Sequence, residues 1–185
     1  LTTALDIQKA PREAVSKAYN VFQKARIQRS GTGFIGAPIL TPDELDRSKG
    51  EISWNDLETM LSGFAYDTYY NHSETSRKNY FTVWDFAIDQ GFSFGSGMGT
   101  NHHYGYQVRK IYTTAWLMRD AIWKAPNRDN ILSTLIFWSA LQETRQPYQY
   151  GRDELLDSWH TLLMAKTVSA LLFTDERERV RALKG

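Results

Sequence analysis

The segment Ser53-Trp-Asn-Asp-Leu-Glu-Thr-Met-Leu-Ser-Gly-Phe-Ala65 indicates the fold class of this 185-residue chain. Its apolar residues recur three and four positions apart, as they do on one face of an α-helix. Ser53 is a favourable N-cap residue, and Asp56, three positions later, is close to a capping box. Apolar stripes with the same spacing recur along the chain, so we expect an all-α fold.

The same spacing predicts six or seven helices in all. They begin at Pro11, Ser53, Tyr80, Tyr106, Asn127, Leu155 and Thr174. The first runs to about Arg29 before Gly31 stops it, and the polar stretch 71–78 separates the second from the third. No segment shows the sustained alternation of a strand. Three loops, 30–52, 91–105 and 147–152, carry ten of the twelve glycines and two of the four histidines. Long loops in compact domains are often binding loops.

Composition excludes several classes of protein. The 22 basic and 21 acidic residues leave a net charge of +1. The sequence therefore has no basic tail of the kind that binds nucleic acid. The absence of cysteine removes disulfides, thiol nucleophiles and thiolate-bound zinc. The apolar runs are too short for a membrane-spanning helix. The first residue is Leu1, so we expect a processed or excised piece, and the absence of cysteine is compatible with a secreted or periplasmic bacterial protein.

Aromatic residues make up 14% of the chain, which suits a large core and also a carbohydrate-binding cleft. Tyr148, Tyr150 and Arg152 lie in one of the loops. They are interpreted either as ordinary loop residues or as the wall of a subsite for an anionic sugar.

The glycine-rich stretch 95–100 is not interpreted as a phosphate loop, because no strand precedes it and no Lys-Ser/Thr follows it. The four histidines lack the spacing of a zinc-binding helix. His102 and His103, however, lie at the start of a predicted helix, beside Asn101 and Tyr104, with Arg109 about two turns further on. Side chains of these types can transfer protons and neutralise a carboxylate, so this segment is a candidate site.

Longer stretches resemble a known family. They are Trp84-Asp-Phe-Ala-Ile-Asp-Gln-Gly91, Thr100-Asn-His-His-Tyr-Gly-Tyr106, Arg109 and Thr113-Thr-Ala-Trp-Leu-Met118. Together they resemble the catalytic domain of the chondroitin sulfate ABC lyases, in polysaccharide lyase family 8. The likeness covers residues 30–185 and is most specific from residue 80 onward. It implies that residues 1–185 are a single all-α segment of an incomplete (α/α) toroid built from paired antiparallel helices.

The resemblance also implies an activity, β-elimination at the uronic acid of chondroitin and dermatan sulfates, with hyaluronan as a further candidate. Related lyases that lack the ABC specificity carry Asn-Trp-Trp where this chain has Asn101-His102-His103. Inverting C5 of the uronate moves its proton to the other face of the sugar, so an enzyme that accepts both epimers needs a base on each side. His102 or His103 is the candidate second base.

The substrate-binding candidates implied in this way are Asn101, Tyr104, Tyr106, Arg109, Tyr148, Tyr150 and Arg152. No cofactor is certain, although the resemblance leaves room for a divalent cation such as calcium or magnesium. The expected partners are an anionic glycosaminoglycan and the rest of the same polypeptide, with neither nucleic acid nor a membrane.

One departure from the family limits this interpretation. The chain has no Arg-His-Glu-Gly-Asn stretch followed by Pro-Gly-Tyr, which in the family carries the main histidine and tyrosine. We therefore expect the first half of a catalytic toroid, inactive alone. A non-catalytic carbohydrate-binding helical domain and a plain helical interaction module are the alternatives.

Overall fold

The structure is a computed structural model that describes residues 4–30, 33–35, 39–40, 52–89 and 104–144, together with residues 167, 168 and 172. The contacts within the chain divide it into two compact units, residues 1–90 and residues 91–185. The prediction that the whole chain is one segment of a toroid stays a prediction.

Six helices and four short strands lie in the described residues. The first unit contains α1 (Ala4–Ala25), β1 (Gln28–Ser30), β2 (Gly33–Ile35), β3 (Ile39–Leu40), β4 (Ile52–Ser53), α2 (Trp54–Asn71) and α3 (Glu74–Asp89). The second contains α4 (Tyr104–Leu117), α5 (Arg119–Trp123) and α6 (Arg128–Thr144). The predicted all-α class is confirmed for this part of the chain, and the helices predicted from residue 155 onward fall almost entirely outside it.

The strands lie in and around the segment that the sequence predicted as an irregular connection. β1 and β2 pair antiparallel, with Gln28 opposite Ile35, and β3 pairs with β4 in parallel, with Ile39 opposite Ile52. Each strand has only two or three residues. A strand of that length is too short to show a period of two, which explains why the sequence pattern did not predict it.

The predicted limits of α1 were wrong at both ends. The helix begins at Ala4, so Pro11 lies inside it and does not open it. Proline holds φ near the helical value, so a helix can continue through it with the loss of one backbone hydrogen bond. The helix ends at Ala25, well before Gly31, because Arg26 adopts a left-handed conformation with φ of 51°.

Close packing joins α1 to α2. Ala18 and Ala25 of α1 are fully buried, as are five apolar residues of the predicted stripe on α2: Leu57, Met60, Leu61, Phe64 and Ala65. The rings of Tyr19 and Phe22 meet Phe64 edge to face, with centroids 5.1 and 5.4 Å away. A Cβ atom at Gly63 would lie 2.4 Å from Cβ of Ala18 and 2.5 Å from the carbonyl oxygen of Ala14. Small residues therefore set the distance between these helices.

The turn between α2 and α3 is shorter than the predicted polar stretch 71–78. Only two residues separate the helices, His72 with φ of 54° and Ser73. The hydroxyl oxygen of Ser73 accepts a hydrogen bond from the amide of Ser76 at 3.2 Å. Ser73 is thus the N-cap of α3, and the acidic Glu74 in the first turn suits the helix dipole.

A polar cluster links the three helices described in the first unit. The hydroxyl of Ser76, on α3, donates to Oδ2 of Asp67 at 2.5 Å, and the amide of Asn71 donates to Oδ1 at 2.7 Å. The hydroxyl of Tyr19, on α1, lies 2.9 Å from that of Ser76. Partial burial alone would raise the pKa of Asp67, but hydrogen bonds from Asn71, Ser76 and Ser73 outweigh it and hold the pKa below its usual range.

The apolar face of α3 is wider than the predicted set of Phe81, Trp84 and Ile88. Trp84 is fully buried, whereas Phe81 and Ile88 are only partly buried. The other fully buried apolar residues of α3 are Tyr80, Val83, Phe86 and Ala87. The spacing indicated an apolar face, but the neighbouring elements determined which of its residues are completely covered.

In the second unit, the single helix predicted from Tyr106 to Pro126 is divided. α4 ends at Leu117, and α5 begins at Arg119 after Met118. The carbonyl of Met118 accepts the amide of Ile122 at 2.8 Å, so the backbone hydrogen bonds continue past the break. α6 begins at Arg128, directly after Asn127, which confirms the predicted start.

Replacing Gly63 by alanine should destabilise the protein. The new Cβ atom would overlap a backbone carbonyl that cannot rotate away, and overpacking of this kind costs about 1–3 kcal/mol. At an exposed helical position the same substitution stabilises by up to about 1 kcal/mol. Urea denaturation followed by circular dichroism measures the change. The exposed Asn20→Ala on α1 is the control, expected within about 0.5 kcal/mol of wild type. A more stable Gly63→Ala would contradict the close contact.

The polar cluster should make stability depend on pH. Because the pKa of Asp67 is lower in the folded protein, its contribution is complete above the unfolded value of about 3.9 and is lost as the pH falls through the folded value. The difference in unfolding free energy between wild type and Asp67→Asn should therefore shrink on acidification from pH 7. Asp120→Asn, at a side chain that is 82% exposed, is the control. A difference that stays constant over the acidic range would show that the Asp67 carboxylate has no such role.

Candidate functional site

The predicted site residues fall into two groups. Six of them lie outside the described residues: Asn101, His102, His103, Tyr148, Tyr150 and Arg152. Tyr104, Tyr106 and Arg109 lie in α4, where the backbone is described. The functional roles assigned to all nine stay predictions.

The backbone of α4 gives the site its framework. The helix begins at Tyr104, the residue that follows Asn101-His102-His103 in the sequence. The tripeptide itself lies outside the described residues. Tyr104 and Arg109 are separated by about 8 Å along the helix axis. The first amides of a helix have no intrahelical partner and carry a partial positive charge. The start of a helix therefore favours a carboxylate or a developing negative charge.

Buried contacts hold α4 in position. Ile111, Tyr112 and Ala115 are fully buried, and the hydroxyl of Tyr112 donates to the carbonyl of Leu135 in α6 at 2.6 Å. Burial raises the pKa of Tyr112, so the hydroxyl stays protonated as a donor. The Thr114 hydroxyl donates to the carbonyl of Lys110 in the preceding turn. α4 therefore forms a rigid support for the residues at its start.

Within the described residues no group of three His, Asp or Glu side chains could hold a metal ion. The divalent cation that the resemblance allowed stays a prediction. No helix among these residues is both long enough and apolar enough to cross a membrane. His72, which carried no predicted role, is exposed at the turn between α2 and α3.

The structure also contains surface groupings that the sequence analysis did not identify. Three tyrosines near the end of α2 form one: the Tyr70 ring lies 5.1 Å from Tyr69 and 6.4 Å from Tyr66 between centroids. Tyr69 and Tyr70 are 46% and 56% exposed. Tyr69 and Tyr70 follow Tyr66 by three and four residues, and this helical spacing was a signal that could have placed them beside Tyr66.

A second grouping lies around α5. The guanidinium of Arg119 lies over the ring of Trp116, 4.6 Å from its centroid, and that of Arg128 lies 5.3 Å from the centroid of Trp123. Trp116 and Arg119 are three residues apart, a helical spacing from which their contact could have been predicted. Trp123 and Arg128 are five residues apart across a turn, so no periodic signal connects them.

Comparisons with known proteins identify the family. A family model described as "Lyase, catalytic" matches residues 2–185. The chain is 31% identical over 122 residues to a protein of Bacteroides thetaiotaomicron named chondroitin sulfate ABC exolyase. It is 29% identical over 105 residues to one of Proteus vulgaris named chondroitin sulfate ABC endolyase.

The aligned residues are 62% and 56% of this chain but only 12% and 10% of those relatives. The chain therefore corresponds to a small part of each relative. The match over residues 2–185 confirms the family predicted from the motifs: this chain belongs to the lyase catalytic-domain family.

Proposed function

We propose that the protein is a glycosaminoglycan lyase that cleaves chondroitin and dermatan sulfates, with hyaluronan as a further candidate, by β-elimination at the uronic acid. The observation that carries this proposal is the family match over residues 2–185, joined by two relatives that are both named chondroitin sulfate ABC lyases. Within the whole enzyme this chain supplies part of the substrate cleft. The rest of the same polypeptide supplies the remaining catalytic groups.

The proposed reaction explains why these residue types are needed. A base removes the proton on C5, which is weakly acidic because the neighbouring carboxylate must take up negative charge. Hydrogen-bond donors or cations that neutralise the carboxylate lower the energy of the enediolate intermediate. The bond from C4 to the glycosidic oxygen then breaks, a C4–C5 double bond forms, and an acid protonates the departing oxygen.

In this proposal His102 or His103 is the base for one uronate epimer, and Asn101 or the other histidine donates to the substrate carboxylate. Tyr104, Tyr106 and Arg109 contact the substrate from the first turns of α4. The position of the tripeptide directly before a buried and hydrogen-bonded helix supports these roles, because catalytic groups are most effective on rigid elements.

Tyr148, Tyr150 and Arg152 are proposed to form the wall of a subsite for an anionic sugar, where tyrosine rings cover the sugar and the guanidinium pairs with its charge. The bacterial origin of both relatives supports a secreted or periplasmic enzyme that meets extracellular polysaccharide. We expect the isolated chain to be inactive.

The test of the proposed function is turnover by the full-length protein on purified chondroitin and dermatan sulfates. The unsaturated uronate product absorbs in the ultraviolet, so a rise in absorbance reports each bond cleaved. Binding of both polymers without any such rise would instead identify a non-catalytic carbohydrate-binding domain, the alternative proposed from the sequence.

Replacing either of the two histidines should affect turnover of dermatan sulfate more than turnover of chondroitin sulfate. We expect His102→Ala or His103→Ala to lower kcat on dermatan sulfate by about 100- to 10,000-fold, the usual loss for a positioned general base, with a far smaller effect on chondroitin sulfate. His72→Asn is the control, because His72 is exposed and asparagine tolerates its left-handed backbone. If both single variants kept wild-type rates on both polymers, neither histidine would be the base.

A further inference from the structure

Two tryptophan–arginine stacks, one at each end of α5, follow one another along the chain in the second unit. Arg119 and Trp123 are the first and last residues of α5, four positions apart, so their side chains start from the same face of that helix. Arg119 extends the row to Trp116, and Trp123 extends it to Arg128. The row Trp116–Arg119–Trp123–Arg128 is named the stacked row.

The stacked row is ordered by hydrogen bonds as well as by stacking. A guanidinium nitrogen of Arg119 donates to the carbonyl of Trp116 at 3.1 Å. The indole nitrogen of Trp123 donates to the carbonyl of Leu172 at 2.8 Å. Side chains held in this way lose little conformational entropy when they bind a ligand, which favours recognition.

The arginines remain accessible although each lies near a carboxylate. The side chains of Arg119 and Arg128 are 37% and 41% exposed. Arg128 pairs with Asp129 at 2.9 Å, but the corresponding distance from Arg119 to Asp120 is 3.9 Å, and both aspartate side chains are 82% exposed. Surface pairs of this kind contribute about 1 kcal/mol or less, so a polyanion can compete with them.

Charge around the row favours an anionic ligand. Residues 110–129 contain four basic residues and two acidic ones, and the exposed Lys124 directly follows Trp123. Indole rings cover the apolar faces of sugars, and guanidinium groups pair with carboxylates and sulfates. A polymer of alternating rings and charges matches a row of alternating rings and guanidinium groups.

The row is separate from the proposed cleft residues on α4. Trp116 lies twelve residues after Tyr104, about 18 Å further along the helix axis, and α5 follows at the same end. We propose that the stacked row, with Lys124, is a second binding surface for a sulfated, uronate-containing polysaccharide chain. It holds a remote part of the polymer whose scissile bond lies in the cleft. The identity of the polyanion rests on the proposed function.

The test compares a long and a short substrate in the full-length protein. We expect Arg119→Gln/Arg128→Gln to raise KM for polymeric chondroitin sulfate about fivefold to twentyfold at low ionic strength, with kcat unchanged. A tetrasaccharide with its central bond in the cleft has only two rings on either side of that bond, too few to reach the stacked row, so its KM should stay at the wild-type value. The polymer KM of wild type should also rise more steeply with salt than that of the variant.

Two further variants keep the test decisive. Arg77→Gln is the matched control, because the Arg77 side chain is 42% exposed and pairs with Glu74 at 2.9 Å in the other unit. The kinetics of this variant should equal those of wild type. If the double variant fails to fold, Lys124→Gln replaces it, with an expected rise in polymer KM of about twofold to threefold. A polymer KM equal to that of wild type, or an equal rise for polymer and tetrasaccharide, would overturn the proposal.

Failure of this inference can be told from failure of the proposed function. Fluorescence anisotropy with labelled chondroitin sulfate measures binding without any turnover. One outcome is that wild type binds the polymer without lyase activity while the double variant binds it at least fivefold more weakly. That result would support the second binding surface and contradict the lyase assignment. If wild type cleaves the polymer and the double variant binds and cleaves it equally well, the lyase assignment is supported and the second binding surface is contradicted.

Discussion

The position of α4 depends on one buried hydrogen bond, from the hydroxyl of Tyr112 to the carbonyl of Leu135. Tyr112 is fully buried, and an unpaired phenol there would cost about 1–3 kcal/mol, so the bond selects one arrangement of α4 against α6. The residues at the start of α4 are proposed to bind and deprotonate a uronate. That proposal relies on the placement of α4, which this hydrogen bond about two turns from Tyr104 helps to fix.

In the first unit, close helix packing and a polar cluster together fix the arrangement of the helices. α1 and α2 approach closely because Gly63 faces the backbone of Ala14 and the methyl group of Ala18. The Asp67 cluster then joins both helices to α3 through Tyr19 and Ser76. Hydrophobic burial is non-directional, whereas a carboxylate that accepts hydrogen bonds at defined angles specifies how the helices are oriented. The two features together give a core with a unique arrangement.

The proposed lyase chemistry and the proposed second surface place different demands on the second unit. The cleft needs a few polar groups held within hydrogen-bonding distance of a reacting carbon, which a helix start on a buried support provides. The stacked row needs only accessible ring surface and positive charge, since its proposed role is to retain a long polyanion. The proposed cleft residues lie at the start of α4, and the stacked row begins near its end and continues through α5.

The sequence by itself determined the helical class, the starts of α2 and α6 and the family. Ser53 and Asn127 are local capping signals, and the motifs from Trp84 to Met118 are contiguous stretches, so each can be interpreted without knowing what packs against it. The candidate site was also predicted from such a stretch, although only the backbone position of α4 is confirmed.

Only the tertiary structure decided the features that join distant residues. The Gly63 contact, the pairing of Tyr19 with Ser76 and the stack of Arg128 on Trp123 connect positions with no periodic relation. The continuation of α1 through Pro11 is contrary to the local signal, because proline predicted a helix start there. The break at Met118 had no local signal in the sequence. The physical reason is that helix limits and close approaches depend on the free energy of packing in the whole unit, which can override local propensities.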